Sequence, residues 1–188
     1  MDVWKQLEEA AEVYNGIRVI RRQRVLELSS IFGGTIRDME VLALEAGIVP
    51  LRYIRNIGTI GMGGQSRLLQ ARVAVVGLGG LGGYVIEALA RMGIGELTVI
   101  DGDKFEEHNL NRQALSTEDG LNTDKVWMAR RRIRDINRAV AVIGYKEPLT
   151  RENLPRLLKR AQVVVDALDN LPTRLILQDG AQALGIPM

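Results

Sequence analysis

From Arg72 onward, short runs of nearly unbroken aliphatic residues alternate with longer segments of helical periodicity. Arg72–Val76, Leu97–Ile100, Val140–Tyr145 and Val163–Ala167 predict strands, and Gly80–Met92, Asp124–Asn137, Arg151–Arg160 and Pro172–Leu184 predict the helices between them. Thr123 is the expected N-cap of the Asp124 helix. Strands that are apolar on both faces imply a parallel sheet covered by helices on both sides. The pattern therefore predicts an α/β, Rossmann-like doubly wound and mainly parallel sheet, with its site at the carboxyl ends of the strands.

The first 50 residues read differently. Trp4, Leu7, Ala11 and Tyr14 recur at helical spacing, with Gly16 as a stop. A second helix is expected from Ile17 to Ile31, carrying Arg21, Arg22 and Arg24. A third begins at Thr35, with Asp38 three residues on as in a capping box, and ends at Gly47 before Pro50. No strand pattern is read here. Three short helices bury little alone, so residues 1–50 are expected to form a helical extension that docks on a main domain spanning 51–188, or on a second subunit. At the other end, Gly185-Ile186-Pro187-Met188 leads toward a fifth strand that does not follow. The C-terminal part of the fold is expected to be missing, the chain being a fragment or a partner completing the sheet.

Composition narrows the function classes. With 188 residues and 46% hydrophobic content the chain can bury a real core. It contains no cysteine, which excludes a disulfide framework, a cysteine zinc site and a thiol nucleophile within these residues. A net charge of +2 does not call for nucleic acid. No apolar run reaches the ~18 residues of a membrane span, and Met1–Gln6 lacks a signal-peptide core. A cytoplasmic protein is the expectation.

The candidate chemistry sits mostly between Val73 and Gln113. Gly77, Gly79 and Gly82 satisfy G-x-G-x-x-G between a strand and a helix, with Gly80 beside them, where backbone and helix N-terminus favour a nucleotide phosphate. Asp101 ends the next strand, where a carboxylate accepts hydrogen bonds from ribose hydroxyls; Asp103 has no such positional argument and is expected to be solvated. Asn109-Leu110-Asn111-Arg112-Gln113 should cross the open end of the sheet, placing the Arg112 fork near phosphate oxygens. Lys125 adds a point charge at the start of the following helix. Asp166 and Asp169 follow the last strand; Asp169 lies farther past it and is the better magnesium ligand, capping of the next helix being the alternative, and Asp166 is placed to brace the loop. His108, the only histidine, lies in a polar loop and receives no role.

Taken in order, Arg52-Tyr53-Ile54-Arg55-Asn56, Gly64-Gln65, the glycine loop, Asp101, Asn109–Gln113, Lys125 and Asp166-Ala167-Leu168-Asp169-Asn170 resemble the ThiF/MoeB/HesA proteins, bacterial relatives of ubiquitin-activating enzymes. The resemblance implies ATP-dependent adenylation of the C-terminal glycine carboxylate of a ubiquitin-like sulfur-carrier protein, with release of pyrophosphate. It implies that Asp101 holds the ribose, Arg112 and Lys125 the phosphates, and Asp169 Mg2+. It further implies a homodimer in which Arg55 reaches the triphosphate of the other subunit. Asn56 stands where the family often has Gln, and the crossover loop and zinc-binding cysteines of relatives have no counterpart in these residues. An attacking carboxylate is already anionic, so positioning and positive charge on the phosphates do most of the work.

Three other readings compete. An NAD-dependent oxidoreductase would use the glycines and Asp101 but leave Arg112, Lys125 and Asp169 idle. An ATP-dependent dehydratase that cyclises threonylcarbamoyladenosine on tRNA shares the Asn-x-Asn-Arg-Gln loop, and Arg21-Arg22-Arg24 would then touch RNA. A truncated adenylation fold kept as a non-enzymatic binding partner is the third.

Overall fold

The computed structural model describes residues 2–188. They form two compact units, one ending at Gln70 and one running from Ala71 to Met188.

In the first unit, α1 (Val3–Ala10) starts at Asp2, whose carboxylate accepts the Trp4 N–H at 3.0 Å. The predicted continuation to Tyr14 does not occur. Glu12–Tyr14 (β1) and Ile17–Ile20 (β2) instead make an antiparallel hairpin. The cause is local: Asn15 and Gly16 both take positive φ (49° and 77°), the requirement of a two-residue hairpin turn, and β-branched Val13, Ile17, Val19 and Ile20 favour strand. The second helix consequently begins at Arg22, not Ile17, and runs to Phe32 (α2). The Thr35–Asp38 capping box forms as expected and opens α3 (Ile36–Glu45). Val49–Pro50 (β3) then pairs parallel to β2, and α4 (Ile54–Gln70) follows, kinked at Gly61 with φ 66° and ψ 174°. These elements are not the weakly buried appendage expected: Leu7, Ile20, Val25, Leu28, Met39, Ala43 and Ile48 form their own buried cluster.

The second unit is the predicted α/β layer. Arg72–Val76 (β4), Glu96–Ile100 (β5), Ala141–Tyr145 (β6) and Val163–Asp166 (β7) form an all-parallel sheet in the order β6-β5-β4-β7. Gly80–Met92 (α5) and Lys125–Ile136 (α6) precede β5 and β6. Leu154–Leu158 (α7) precedes β7, and Leu171–Ala183 (α8) follows it. α7 is shorter than predicted because Thr150 and Asn153 close a turn by mutual backbone–side-chain hydrogen bonds of 2.8 and 3.3 Å, and Pro155 sits in the first helical turn. Ala74, Val76, Ile100 and Val164 bury one sheet face against Leu154, Leu157, Leu158 and Leu177 of α7 and α8. The alternate residues Val73, Val75, Leu97 and Val99 are buried too, as a sheet covered on both faces requires. After α8, the chain returns beside β7, where the Val164 N–H donates to the Pro187 carbonyl at 2.9 Å. Chain order reverses at β4, flanked by β5 and β7, which makes its carboxyl end the topological switch point. Among the described residues, no helix is long and apolar enough to cross a membrane.

Candidate nucleotide site

At the switch point the glycines divide into two kinds. Gly77 has φ 93°, and a Cβ there would lie 2.5 Å from the Ala167 carbonyl oxygen of the β7 loop. A Cβ on Gly82 would run into the Gly77 carbonyl. Both glycines are therefore demanded by packing of strand, turn and helix. Gly79 and Gly80 are not: the nearest atoms to an added Cβ are Gln113 Nε2 at 3.6 Å and the Arg112 carbonyl at 3.7 Å, ordinary contact distances. The bare backbone at the N-terminus of α5 thus faces the Arg112–Gln113 segment, with room at both positions for an added Cβ. Gln113 is buried, and its Oε1 has no hydrogen-bond partner among the described residues. A buried amide oxygen left unpaired is costly unless a ligand or water satisfies it.

Asp101 closes the next corner. Its Oδ2 accepts the Leu78 N–H at 2.7 Å and its Oδ1 the Asp103 N–H at 2.8 Å, so the carboxylate ties the glycine loop to the end of β5. Burial pushes its pKa up, while those two hydrogen bonds and the nearby Lys125 charge pull it back toward the ionised form. Each oxygen retains acceptor capacity for a sugar hydroxyl. A cleft of about 140 Å³ opens here, lined by Gly77, Asp101, Asp103, Glu147, Leu168 and Thr173 among others. It is smaller than the grooves beside α6, but unlike them it borders the glycine loop.

Lys125 is buried at the start of α6, and its Nζ lies 3.0 Å from Asp103 Oδ2. Asp103, expected to be merely solvated, is exposed yet serves as the partner of this lysine; the Asp-Gly-Asp spacing was the available signal. The N-cap of α6 is Asp124, not Thr123, and makes no side-chain cap bond. The Asn109 Oδ1 accepts the Glu106 N–H at 2.9 Å, so this buried side chain shapes the turn that presents the following residues. Arg112 is exposed, its guanidinium donating to the His108 carbonyl at 2.6 Å and to Asn111 Oδ1 at 3.0 Å. His108 is exposed beside Glu106.

On the β7 side, Asp166 braces its loop, accepting the Leu168 N–H at 3.0 Å and the Arg174 Nε–H at 2.6 Å. Asn170, not Asp169, caps α8, by accepting the Thr173 N–H. That leaves Asp169 exposed, with a single long contact of 3.5 Å from Asn170 Nδ2. No cluster of three or more metal-ligating side chains occurs among the described residues. Magnesium on a nucleotide needs only one or two carboxylates besides the phosphates, a requirement Asp169 fits. Arg55 belongs to the first unit, exposed on α4.

A parallel doubly wound sheet with a glycine loop, a buried strand-end carboxylate and a buried lysine defines a nucleotide-binding α/β domain. Residues 53–188 match the ThiF family, and the chain belongs to it. It is 42% identical over 139 residues to the SAMP-activating enzyme E1 of Haloferax volcanii, a match covering 73% of this chain and 52% of that protein. It is also 42% identical over 140 residues to the sulfur carrier protein ThiS adenylyltransferase of Bacillus subtilis, covering 72% of this chain and 42% of that protein. Among solved structures, the E. coli tRNA N6-threonylcarbamoyladenosine dehydratase TcdA in complex with ATP superposes with a TM-score of 0.70 at 30% identity, covering 73% of this chain and 57% of that one. The chain spans about half the length of the curated relatives it matches.

Proposed function

We propose that residues 51–188 form the ATP-binding part of an adenylyltransferase that activates the C-terminal glycine carboxylate of a ubiquitin-like sulfur-carrier protein in the cytoplasm. The observation that carries this reading is the uncrowded Gly79–Gly80 backbone beside the unpaired Gln113 Oε1, with the buried Lys125 nearby in the same unit. In this reading a carrier carboxylate oxygen bonds to the α-phosphorus, the α–β phosphoanhydride bond breaks, and pyrophosphate leaves. The backbone N–H groups at the start of α5 hold phosphate oxygens, and Asp101 accepts the ribose hydroxyls. Arg112 and Lys125 stabilise charge on the phosphates, Gln113 completes its hydrogen bonds on the nucleotide, and Asp169 holds Mg2+, which neutralises phosphate charge when bound. Sulfur-carrier adenylyltransferases support the carrier as substrate, at 42% identity against 30% for the dehydratase.

Calorimetry with ATP and magnesium, and in parallel with NAD, tests the nucleotide. Pyrophosphate exchange with a ThiS-type carrier tests the reaction. ATP binding and carrier-dependent exchange are expected. NAD binding without ATP binding would replace this reading with the oxidoreductase one.

A further inference from the structure

α6 carries a surface to which the nucleotide contacts proposed above assign no role. Trp127, Arg130, Arg131 and Arg134 follow one another at intervals of three, one and three residues, which places them on one stripe of α6, and Arg138 lies just past its extended C-cap, Asn137. All five are exposed. With Val142 of the edge strand β6 they line a groove of about 680 Å³.

The arginines of this groove stand apart from others in the same unit. Arg91 and Arg132 pair with Glu87, Arg151 with Asp179, Arg156 with Glu147, Arg160 with Glu96, and Arg174 with Asp166. None of the four groove arginines has a carboxylate within ion-pair distance among the described residues. A net charge of +2 averages this local concentration away. Arg131 lies over the half-exposed Trp127 ring, 5.6 Å from its centroid, so a flat aromatic and a flat cation form one platform at the head of the stripe.

Arg130 and Arg134 lie about 6 Å apart along α6, and Arg138 follows beyond the helix end in the lining of the same groove. That is a row of planar phosphate-binding forks. An acidic polypeptide would satisfy the charges but would leave the exposed indole without purpose. Unpaired bases stack on aromatic rings and guanidinium planes, which uses both features. We propose that this groove binds single-stranded RNA, its phosphates on Arg130, Arg134 and Arg138 and a base stacked at Trp127 and Arg131.

The test is fluorescence anisotropy of the whole chain with a labelled single-stranded RNA of about 16 nucleotides, across a salt series. The affinity should fall steeply with salt. In Arg130→Glu/Arg134→Glu/Arg138→Glu it should fall more than tenfold, with the slope of log affinity against log salt shallower by about 2, three lost phosphate contacts at about 0.7 each. Trp127→Ala should weaken binding about tenfold with the salt slope unchanged. These surface variants should retain the parent's circular dichroism and ATP binding, which separates failure of this proposal from failure of the adenylation reading. No binding near 0.1 M salt, full affinity in the triple variant, or equal affinity for the duplex form would overturn the proposal. Equal competition by polyglutamate, with no effect of Trp127→Ala, would overturn it in favour of an acidic protein partner.

Discussion

Lys125 Nζ lies 3.0 Å from Asp103 Oδ2, yet the lysine side chain is 8% exposed and the aspartate 73% exposed. A buried cation is thus held by a carboxylate that water reaches freely. The lysine's position is set by the start of α6, where its backbone N–H also donates to the Asp103 carbonyl at 3.0 Å.

This asymmetry makes the two residues separable. Lys125→Gln should reduce pyrophosphate exchange by roughly 100- to 1000-fold, the range seen when one charge-stabilising donor is removed. Asp103→Asn should change folding stability by less than about 1 kcal/mol and leave most of the exchange activity. Equal damage from both substitutions would show that Lys125 acts through the ion pair, not on the phosphates.

The glycines separate in the same way. Gly77→Ala forces a left-handed residue against the Ala167 carbonyl and should cost roughly 2–4 kcal/mol. Gly80→Ala meets nothing closer than 3.7 Å and lies in the first turn of α5, so folding should be unchanged or stabilised by about 0.5–1 kcal/mol. ATP affinity in Gly80→Ala should nevertheless fall at least tenfold, as measured by calorimetry. If it binds ATP like the parent, that backbone is not the phosphate cradle.

What the sequence made legible follows from the range of the interactions involved. Strands β4, β5 and β7 and helix α5 were readable because each is a local run whose burial on both faces leaves only one architecture. The helical spacing of Trp4, Leu7, Ala11 and Tyr14 masks the Asn15-Gly16 hairpin, although the chemistry of that turn is itself diagnostic. Gly58, Gly61, Gly63 and Gly64 disfavour a continuous helix in the sequence, and the structure does break α4 at Gly61. At the site, motif residues were visible, but the Lys125–Asp103 pair spans 22 positions and only the fold brings it together. The stripe on α6 was hidden by net charge, which sums over a surface that the helix sorts by face.

The first unit contains a titratable group with a predictable pH effect. Glu40 is buried on α3, accepting a hydrogen bond from the Tyr53 hydroxyl at 3.1 Å, with Arg52 Nε 3.8 Å away. Burial outweighs both partners and raises its pKa to about 7. The folded state therefore holds this proton more tightly than the unfolded chain. Its stabilising contribution is complete below the unfolded value of 4.5, declines as pH rises, and is lost above about 7. The change is on the order of 3 kcal/mol. Thermal melts between about pH 5 and pH 8 should show this decline, and Glu40→Gln, which keeps an acceptor for Tyr53, should flatten it. An unchanged slope in Glu40→Gln would assign the pH dependence elsewhere.

We propose that Arg55 reaches the ATP site of a second subunit, as the resemblance to ThiF/MoeB/HesA proteins implies; it is exposed on α4. A two-fold dimer supplies the geometry, since each subunit would give its arginine and receive its mate's. Arg55→Ala and Asp169→Ala homodimers should each be inactive in pyrophosphate exchange. In a mixed dimer, the subunit with intact Asp169 receives the intact Arg55 of its partner, while the other site lacks both groups. Random exchange makes half the dimers mixed, each with one working site of two, so about one quarter of the parent activity should return. An arginine acting within its own subunit gives a different result, because every site in every dimer then lacks one of the two groups. Absence of recovery after subunit exchange has been verified by mass spectrometry, or a monomer in sedimentation analysis, would rule out the arginine in trans.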